Sequence, residues 1–282
     1  MQIFDLTRQG GQLGLAYGPG VLDFLASAPG LIDYVEMPFE QLRHTPELIS
    51  VQKTYPIVLH CASMSIAGFI PPSELTMMAI GDEAARIQTP WIGEHLAFVS
   101  ADGISEEPDR DTTPTNLTYT LCPQLSEETV ARVVKNLAAY RSRFNVPIIL
   151  ENSPQYFDVP GSTMDMNSFI CEVASRGDVQ LLLDLSHFMI TSFNTGVNPL
   201  EEIDRLPLEK VVEIHISGLK RESGIVWDDH ASPAPNEMFD LLERVMKRAR
   251  PKALTLEYNW EKLPQSVLHS HIERSRRLLS IR

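Results

Sequence analysis

Eight short apolar runs, spread over the whole chain and separated by segments of helical period, constrain what this sequence can fold into more than any other feature. In order they are QLGLAYG, DYVEMPFE, PIVLHCAS, WIGEHLAF, PIILENS, QLLLDLSH, VVEIHISG and ALTLEYN. The runs are continuously apolar rather than alternating, which is the pattern of parallel strands covered on both faces. The best of the intervening segments is Ser126 to Phe144, where Val130, Val133, Val134 and Leu137 recur at i, i+3, i+4 and i+7. Ser126 followed by Glu127 and Glu128 makes a good helix start, because a hydroxyl cap and early carboxylates suit the positive helix end. Similar segments run from Ser73 to Ile87, Met164 to Ser175, Asn236 to Arg248 and Gln265 to Leu279. Strand and helix alternate, so the expected fold is α/β, a closed (β/α)8 barrel. An open doubly wound sheet would need a glycine-rich phosphate turn after its first strand, and GLAYGPG lacks the GxGxxG order. Val99 to Pro123 is rich in polar, acidic and proline residues, shows no period, and is expected to be a long loop over the strand ends.

A chain of 282 residues is within the size of one such barrel, so one domain spanning 1–282 is expected. The net charge of −13 argues against a nucleic-acid backbone as the main partner, since phosphate binding needs a basic face. The clearest basic stretch, Arg274, Arg276 and Arg277, reads as a solvated helix face. Cys61, Cys122 and Cys171 are odd in number and widely spaced, which signals neither a disulfide framework nor a thiolate zinc site. No run reaches the roughly 18 apolar residues of a membrane span, and the N-terminus lacks a signal-peptide pattern. A cytoplasmic protein is the expectation, with neither membrane nor nucleic acid as partner.

Nearly every apolar run ends in a histidine, a carboxylate or both. In a parallel barrel His60, Glu94, His95, Glu151, Asp184, His187, His215 and Glu257 would gather at the C-terminal mouth, where such folds place their chemistry. Asp228 and His230 in WDDH add a further pair from a loop. A lone histidine there is ordinarily a hydrogen-bonded core residue. Five histidines interleaved with four carboxylates are different, because so many buried ionisable groups need a compensating charge, which divalent metal supplies. Imidazole and carboxylate without thiolate suit iron, zinc or manganese, and the candidates exceed the ligand needs of one ion. Glu151 is a candidate bridge. Asp184 and His187 share the mouth only if the strand ends before Ser186. Cys61 follows His60 but should point to the opposite face. Asn152 and Glu94 read as groups that orient ligands, Glu36 as either, and Phe98, Phe157, Phe188 and Trp260 as barrel packing.

The segments LHCASMS, GEHLAF, LCPQLSEE, ILENS, LLLDLSHFMITSFNTG, EIHISG, WDDH and LEYNW, in that order, resemble the multinuclear non-heme iron-dependent oxidative enzymes, the group containing the methanobactin and 3-thiaglutamate biosynthetic oxidases. The resemblance covers nearly the whole chain. It implies a TIM barrel of the xylose-isomerase-like kind holding two or three Fe(II)/Fe(III) ions, with O2 as co-substrate. The implied metal ligands are His60, His95, Glu151, Asp184, His187, His215, Asp228, His230 and Glu257, with Asp184, His187 and His215 carrying catalysis. One departure is visible: His187 stands where many members carry asparagine. The implied activity is oxidation of a cysteine in a ribosomally made peptide, by rearrangement to a heterocycle and thioamide or by excision of the β-carbon. Such enzymes often act with a small partner protein that recognises the leader peptide, and a partner of that kind is expected.

Two hydrolytic or isomerising relatives of the same barrel remain as alternatives: a zinc or manganese endonuclease acting at abasic DNA, and a sugar isomerase or epimerase. The first would need a basic rim. The second would want a lysine among the ligand runs, and none lies there. A non-catalytic metal-binding scaffold would not need so many ligand positions.

Overall fold

The computed structural model describes residues 2–42, 44–45, 48–101 and 115–280. Its strands are β1 Gln12–Ala16, β2 Tyr34–Pro38, β3 Ile57–Cys61, β4 Ile92–His95, β5 Phe98–Ala101, β6 Thr115–Leu121, β7 Ile148–Glu151, β8 Gln180–Asp184, β9 Val211–Ile216, β10 Leu219–Glu222, β11 Ile225–Asp228 and β12 Ala253–Leu256. The helices are α1 Val21–Ser27, α2 Phe39–Leu42, α3 Leu48–Thr54, α4 Glu74–Ile87, α5 Glu127–Arg141, α6 Met166–Arg176, α7 Leu185–Thr195, α8 Pro199–Glu202, α9 Asn236–Met246 and α10 Gln265–Leu279. Each of the eight apolar runs forms one strand of a closed parallel barrel, in the spatial order β1-β12-β9-β8-β7-β4-β3-β2. The fold is therefore the expected (β/α)8 barrel.

Strand side chains alternate between the barrel interior and the helix layer. The interior is filled in levels. At the N-terminal end Phe4, Tyr34, Val58, Trp91, Ile149 and Leu182 belong to one apolar plug, in which Phe4 meets Tyr34 and Trp91 edge-on at 5.2 and 5.1 Å. Gly14 makes room for this level, because a Cβ there would lie 2.3 Å from the Tyr34 ring. Two residues further along the strands, the inward positions turn polar. Helices start with side-chain caps where the sequence signalled them: Ser73 accepts from the Thr76 amide and Ser126 from the Thr129 amide.

Two hairpins stand on the mouth. β5 and β6 pair antiparallel, so the flanks of the segment expected to be a featureless loop are strands, while 102–114 lie outside the described residues. Their strand pattern is hidden because apolar residues of β6 such as Tyr119 and Leu121 are exposed rather than set on a buried face. The second hairpin, β10–β11, turns at Ser223 and Gly224, both with positive φ (52° and 82°), the geometry of a two-residue turn matched to strand twist. Asn194 of α7 clamps it to the barrel, bonding both the carbonyl and the amide of Val226.

The basic helix face is not simply solvated. Arg276 reaches Asp33 Oδ2 at 2.7 Å and the Leu31 carbonyl at 2.7 Å, while Arg274 bonds Asn236 and covers the Phe239 ring. No helix among the described residues is long and apolar enough to cross a membrane.

Candidate metal centre

Seven of the nine expected ligands converge at the C-terminal mouth in three overlapping trios: His60, His95 and Glu151; Glu151, Asp184 and His187; and Asp184, His215 and Glu257. Strand register explains the convergence. His95 is the register partner of Glu151, and Asp184 of His215, so residues far apart in sequence stand at one level of the barrel. His60 sits beside Gly93, where a Cβ would lie 2.7 Å from its Nδ1. Glycine at that position lets the imidazole lie flat against β4.

The first trio is tight. His60 Nε2 lies 3.0 Å from His95 Nε2 and 3.1 Å from Glu151 Oε2, and His95 Nδ1 is 2.9 Å from the same oxygen. One ligand atom from each of the three lies within 4.8 Å of the others, close enough for a single ion to reach all three. Glu151 Oε1, its other oxygen, is 3.1 Å from His187 Nδ1. The carboxylate thus faces two trios at once.

Asp184 is shared in the same way. It ends β8 and caps α7, its Oδ1 accepting from the His187 amide at 2.6 Å. The strand ends at Asp184, the condition that lets Asp184 and His187 face the mouth together. Asn152 holds the strand end, donating to the Asp184 carbonyl and accepting from its amide, both at 2.9 Å. The Asn152 carbonyl is 2.9 Å from His187 Nδ1. Without an ion the ring, held protonated by its carboxylate neighbours, donates from Nδ1 to this carbonyl, while Nε2 faces Asp228 Oδ2 at 3.7 Å.

In the third trio His215 Nδ1 lies 3.3 Å from Glu257 Oε1, while its Nε2 meets Glu36 Oε2 at 2.9 Å. Asp228 and His230 join none of the trios. They form a pair at the rim, His230 Nε2 lying 3.0 Å from Asp228 Oδ2 and 3.9 Å from Glu257 Oε2, with the His230 side chain 44% exposed. Asp228 closes the β10–β11 hairpin and is oriented by Ser217 Oγ at 2.9 Å, so it comes from a strand end rather than from the loop expected.

The residues fit metal. Asp184 Oδ2 is buried without a hydrogen-bond partner, and the buried Glu151 Oε2 and His215 Nδ1 meet only other ionisable groups of their trios, in no well-aligned hydrogen bond; buried polar atoms ordinarily find partners. Electrostatics agree. Burial pushes the imidazoles down, yet the carboxylates outweigh it, holding His60 up at about 10 and His187 and His215 well above the usual range. Burial, with Glu151 and Glu257 nearby, pushes Asp184 up to about 6 despite His187. Burial opposes ionisation of Asp228, but His187 and His230 hold it far below the ordinary carboxylate range. Such a field favours added positive charge. The donors are nitrogen and oxygen only, since Cys61 points out of the barrel toward Glu40 and Glu94. Glu94 lies on that outer side too, accepting from the Met64 amide at 2.9 Å.

Beneath the mouth lies a second acidic level, Glu36 and Glu213. Glu213 stands two residues before His215 in VVEIHISG and so shares its inward face. Its oxygens are satisfied by Trp91 Nε1 at 2.7 Å, Tyr34 OH at 3.2 Å and Thr255 Oγ1 at 2.9 Å. With every oxygen supplied by neutral donors, Glu213 does not need an ion, and the Glu36–Glu213–His215 grouping reads as support for His215. Of the aromatics expected to be packing, Phe188 and Trp260 are buried, whereas Phe157 is 67% exposed and lines a cavity with Phe98.

Solved structures with this fold include 3-keto-D-glucoside 4-epimerase from E. coli (TM-score 0.60, 13% identity, 96% of this chain and 100% of that one) and endonuclease IV from Thermus thermophilus (0.55, 14%, 95% and 98%). At these identities the likeness establishes the (β/α)8 barrel fold alone. Sequence relatives are described as UPF0276 proteins. One from Caulobacter vibrioides is 27% identical over 239 residues, 83% of this chain and 81% of the relative. One from Streptomyces avermitilis is 27% identical over 249 residues, 86% of this chain, which spans only 50% of that longer relative. Residues 12–280 match the family described as RiPP precursor modification enzyme MbnB/TglH/ChrH, where RiPP denotes a ribosomally synthesised, post-translationally modified peptide. With that match running through every strand of the barrel and every candidate ligand, the chain belongs to the MbnB/TglH/ChrH family of RiPP precursor modification enzymes.

Proposed function

We propose that this chain is a multinuclear non-heme iron, O2-dependent oxidase that modifies a cysteine of a ribosomally synthesised peptide. The observation that carries the reading is the sharing of Glu151 and Asp184 between adjacent trios, since a carboxylate has two oxygens to offer two ions and an imidazole nitrogen does not. Iron, when bound, would supply a Lewis acid for a substrate thiol and electrons for O2.

The protein's part is positioning and proton handling. His60, His95 and Glu151 would hold one ion, Glu151, Asp184 and His187 a second, and Asp184, His215 and Glu257 a third. The amide of His187 fixes the Asp184 carboxylate, the Asn152 carbonyl fixes the His187 ring, and Glu36 fixes His215. At the rim, His230 carries a proton at neutral pH and can donate it to a group bound at the mouth. Burial lowers its pKa, but Asp228 and Glu257 raise it to about 9, and its exposure connects it to water. A small partner protein that presents the peptide leader belongs to the same proposal.

The test is to incubate the iron-loaded enzyme with a cysteine-bearing candidate precursor peptide, with and without a candidate leader-binding partner, and to read peptide mass with and without air. A mass change that needs both O2 and Asp184 supports the proposal. Undiminished conversion by Asp184→Ala or His215→Ala at normal iron content overturns it, as does conversion without O2.

A further inference from the structure

Beside the metal trios lies an apolar cavity of about 470 Å³ that no candidate ligand enters, a volume ample for a bulky side chain. Two of its walls continue ligand strands. Phe98 stands three residues beyond His95, and Pro154 three residues beyond Glu151. Three residues of chain span at most about 11 Å, so the cavity opens within that reach of the first trio. Tyr156 lines the side nearest the rim. Its ring stacks on Trp227, the neighbour of Asp228, at a centroid distance of 4.7 Å.

The lining is apolar and wet. Phe69 is 82% exposed, Phe157 67% and Leu121 41%, and such clustered exposed apolar surface marks a binding site. The Phe69 wall is fixed in place: the Arg132 guanidinium lies 3.7 Å from its ring centroid and donates to the Ala67 carbonyl at 2.9 Å.

We propose that this cavity is the subsite for a bulky apolar side chain of the peptide substrate, set one to three residues from the residue being modified. The spacing follows from the reach of about 11 Å and an advance of about 3.3–3.6 Å per extended residue. The occupant follows from proximity to the mouth, since Phe98, Pro154 and the Trp227-stacked Tyr156 each lie within a few residues or one ring contact of a ligand position: a chain whose reacting residue enters the metal centre must lay its neighbours along the rim. The inference rests on the peptide-substrate reading given above and adds what the peptide must carry.

The experiment uses the full-length, metal-loaded chain and the probe N-acetylphenylalaninamide, with N-acetylalaninamide as reference, binding being read by saturation-transfer NMR. Phe157→Ser and Leu121→Ser change exposed side chains and leave the barrel intact, which metal content and the melting curve verify. The expected result is binding of the phenylalanine probe by the wild type, weakened at least tenfold in either variant and for the alanine probe. Equal binding by variants and wild type, or no binding of the phenylalanine probe by the wild type, overturns the subsite. So does a dimer in analytical ultracentrifugation that both substitutions dissolve, which would assign the surface to self-association. Loaded metal without side-chain-dependent binding removes the subsite alone, whereas probe binding in a chain that takes up no iron removes the oxidase reading and leaves the subsite standing.

Discussion

His215 Nε2 and Glu36 Oε2 face each other at 2.9 Å with neither residue more than 2% exposed. The contact occupies one ring nitrogen and leaves the other, Nδ1, aimed at Glu257 and the open mouth. A carboxyl that holds the far side of a ligand imidazole fixes its orientation and typically changes metal affinity by about 10–100-fold when lost. Glu36→Leu is therefore expected to weaken binding of one ion by roughly that factor in a calorimetric titration, while Glu36→Gln, whose amide oxygen still accepts, recovers most of it. Equal affinity in Glu36→Leu and wild type would show that Glu36 does not orient His215.

Asp184 combines two tasks that substitution can separate. Asn is as good a helix cap as Asp, so Asp184→Asn should keep α7 while removing the carboxylate shared by two trios. Asp184→Ala loses both, at an additional cost of about 1 kcal/mol for the cap. Thermal melts of the metal-free proteins should rank Asn above Ala, and both variants should bind at least one ion fewer by elemental analysis. A full ion complement in Asp184→Asn contradicts the bridging role.

Gly93→Ala probes the first trio from behind. The added methyl would stand 2.7 Å from His60 Nδ1 and 3.2 Å from Leu182 Cδ1, so the ring must tilt away from His95 and Glu151. Loss of one ion with the others retained is expected. Equilibrium dialysis at graded metal concentrations would show this as the disappearance of one class of site.

Asp33 supplies the pH dependence. Burial raises its pKa, but the Leu13 amide and Arg276 and Arg8 more than compensate, leaving it below its ordinary 3.8. A depressed folded pKa means that the ionised carboxylate stabilises the fold, fully above the unfolded value near 4 and progressively less as pH falls through the lower folded value. Asp33→Asn should cost roughly 2 kcal/mol at neutral pH, in keeping with hydrogen bonds to a charged group. Denaturant curves from pH 7 downward should show the gap to wild type hold constant to about pH 5 and narrow below pH 4. A gap that widens toward acid would reverse the sign of the linkage.

How far the sequence carries differs by element. The barrel strands are visible because parallel strands buried on both faces read as unbroken apolar runs, each ending in its polar residue. Helix α7 escapes notice for a physical reason: Leu185 to Ser192 is buried all round, so no polar face marks its period. The β10–β11 hairpin escapes because its strand residues are largely exposed, and only the Ser223–Gly224 turn hints at it. Histidines and carboxylates at strand ends were open to reading from position alone. Which nitrogen or oxygen each one offers was not, because that depends on cross-strand register and on partners such as Asn152, Glu36 and Ser217 that carry no ligand signature. Phe157 reads as packing in the sequence because hydrophobicity does not distinguish a core aromatic from one that lines an open cavity.

The measurement that bears most directly on the central claim is iron content per chain together with Mössbauer and electron paramagnetic resonance spectra, on protein loaded anaerobically with Fe(II) and then exposed to a limited amount of oxidant. Shared carboxylates at Glu151 and Asp184 predict at least two irons per chain, with exchange-coupled spectra whose coupling is reduced in Asp184→Asn and collapses to uncoupled iron when Glu151→Gln is combined with it. A single uncoupled iron, or zinc that iron does not displace, would contradict the account.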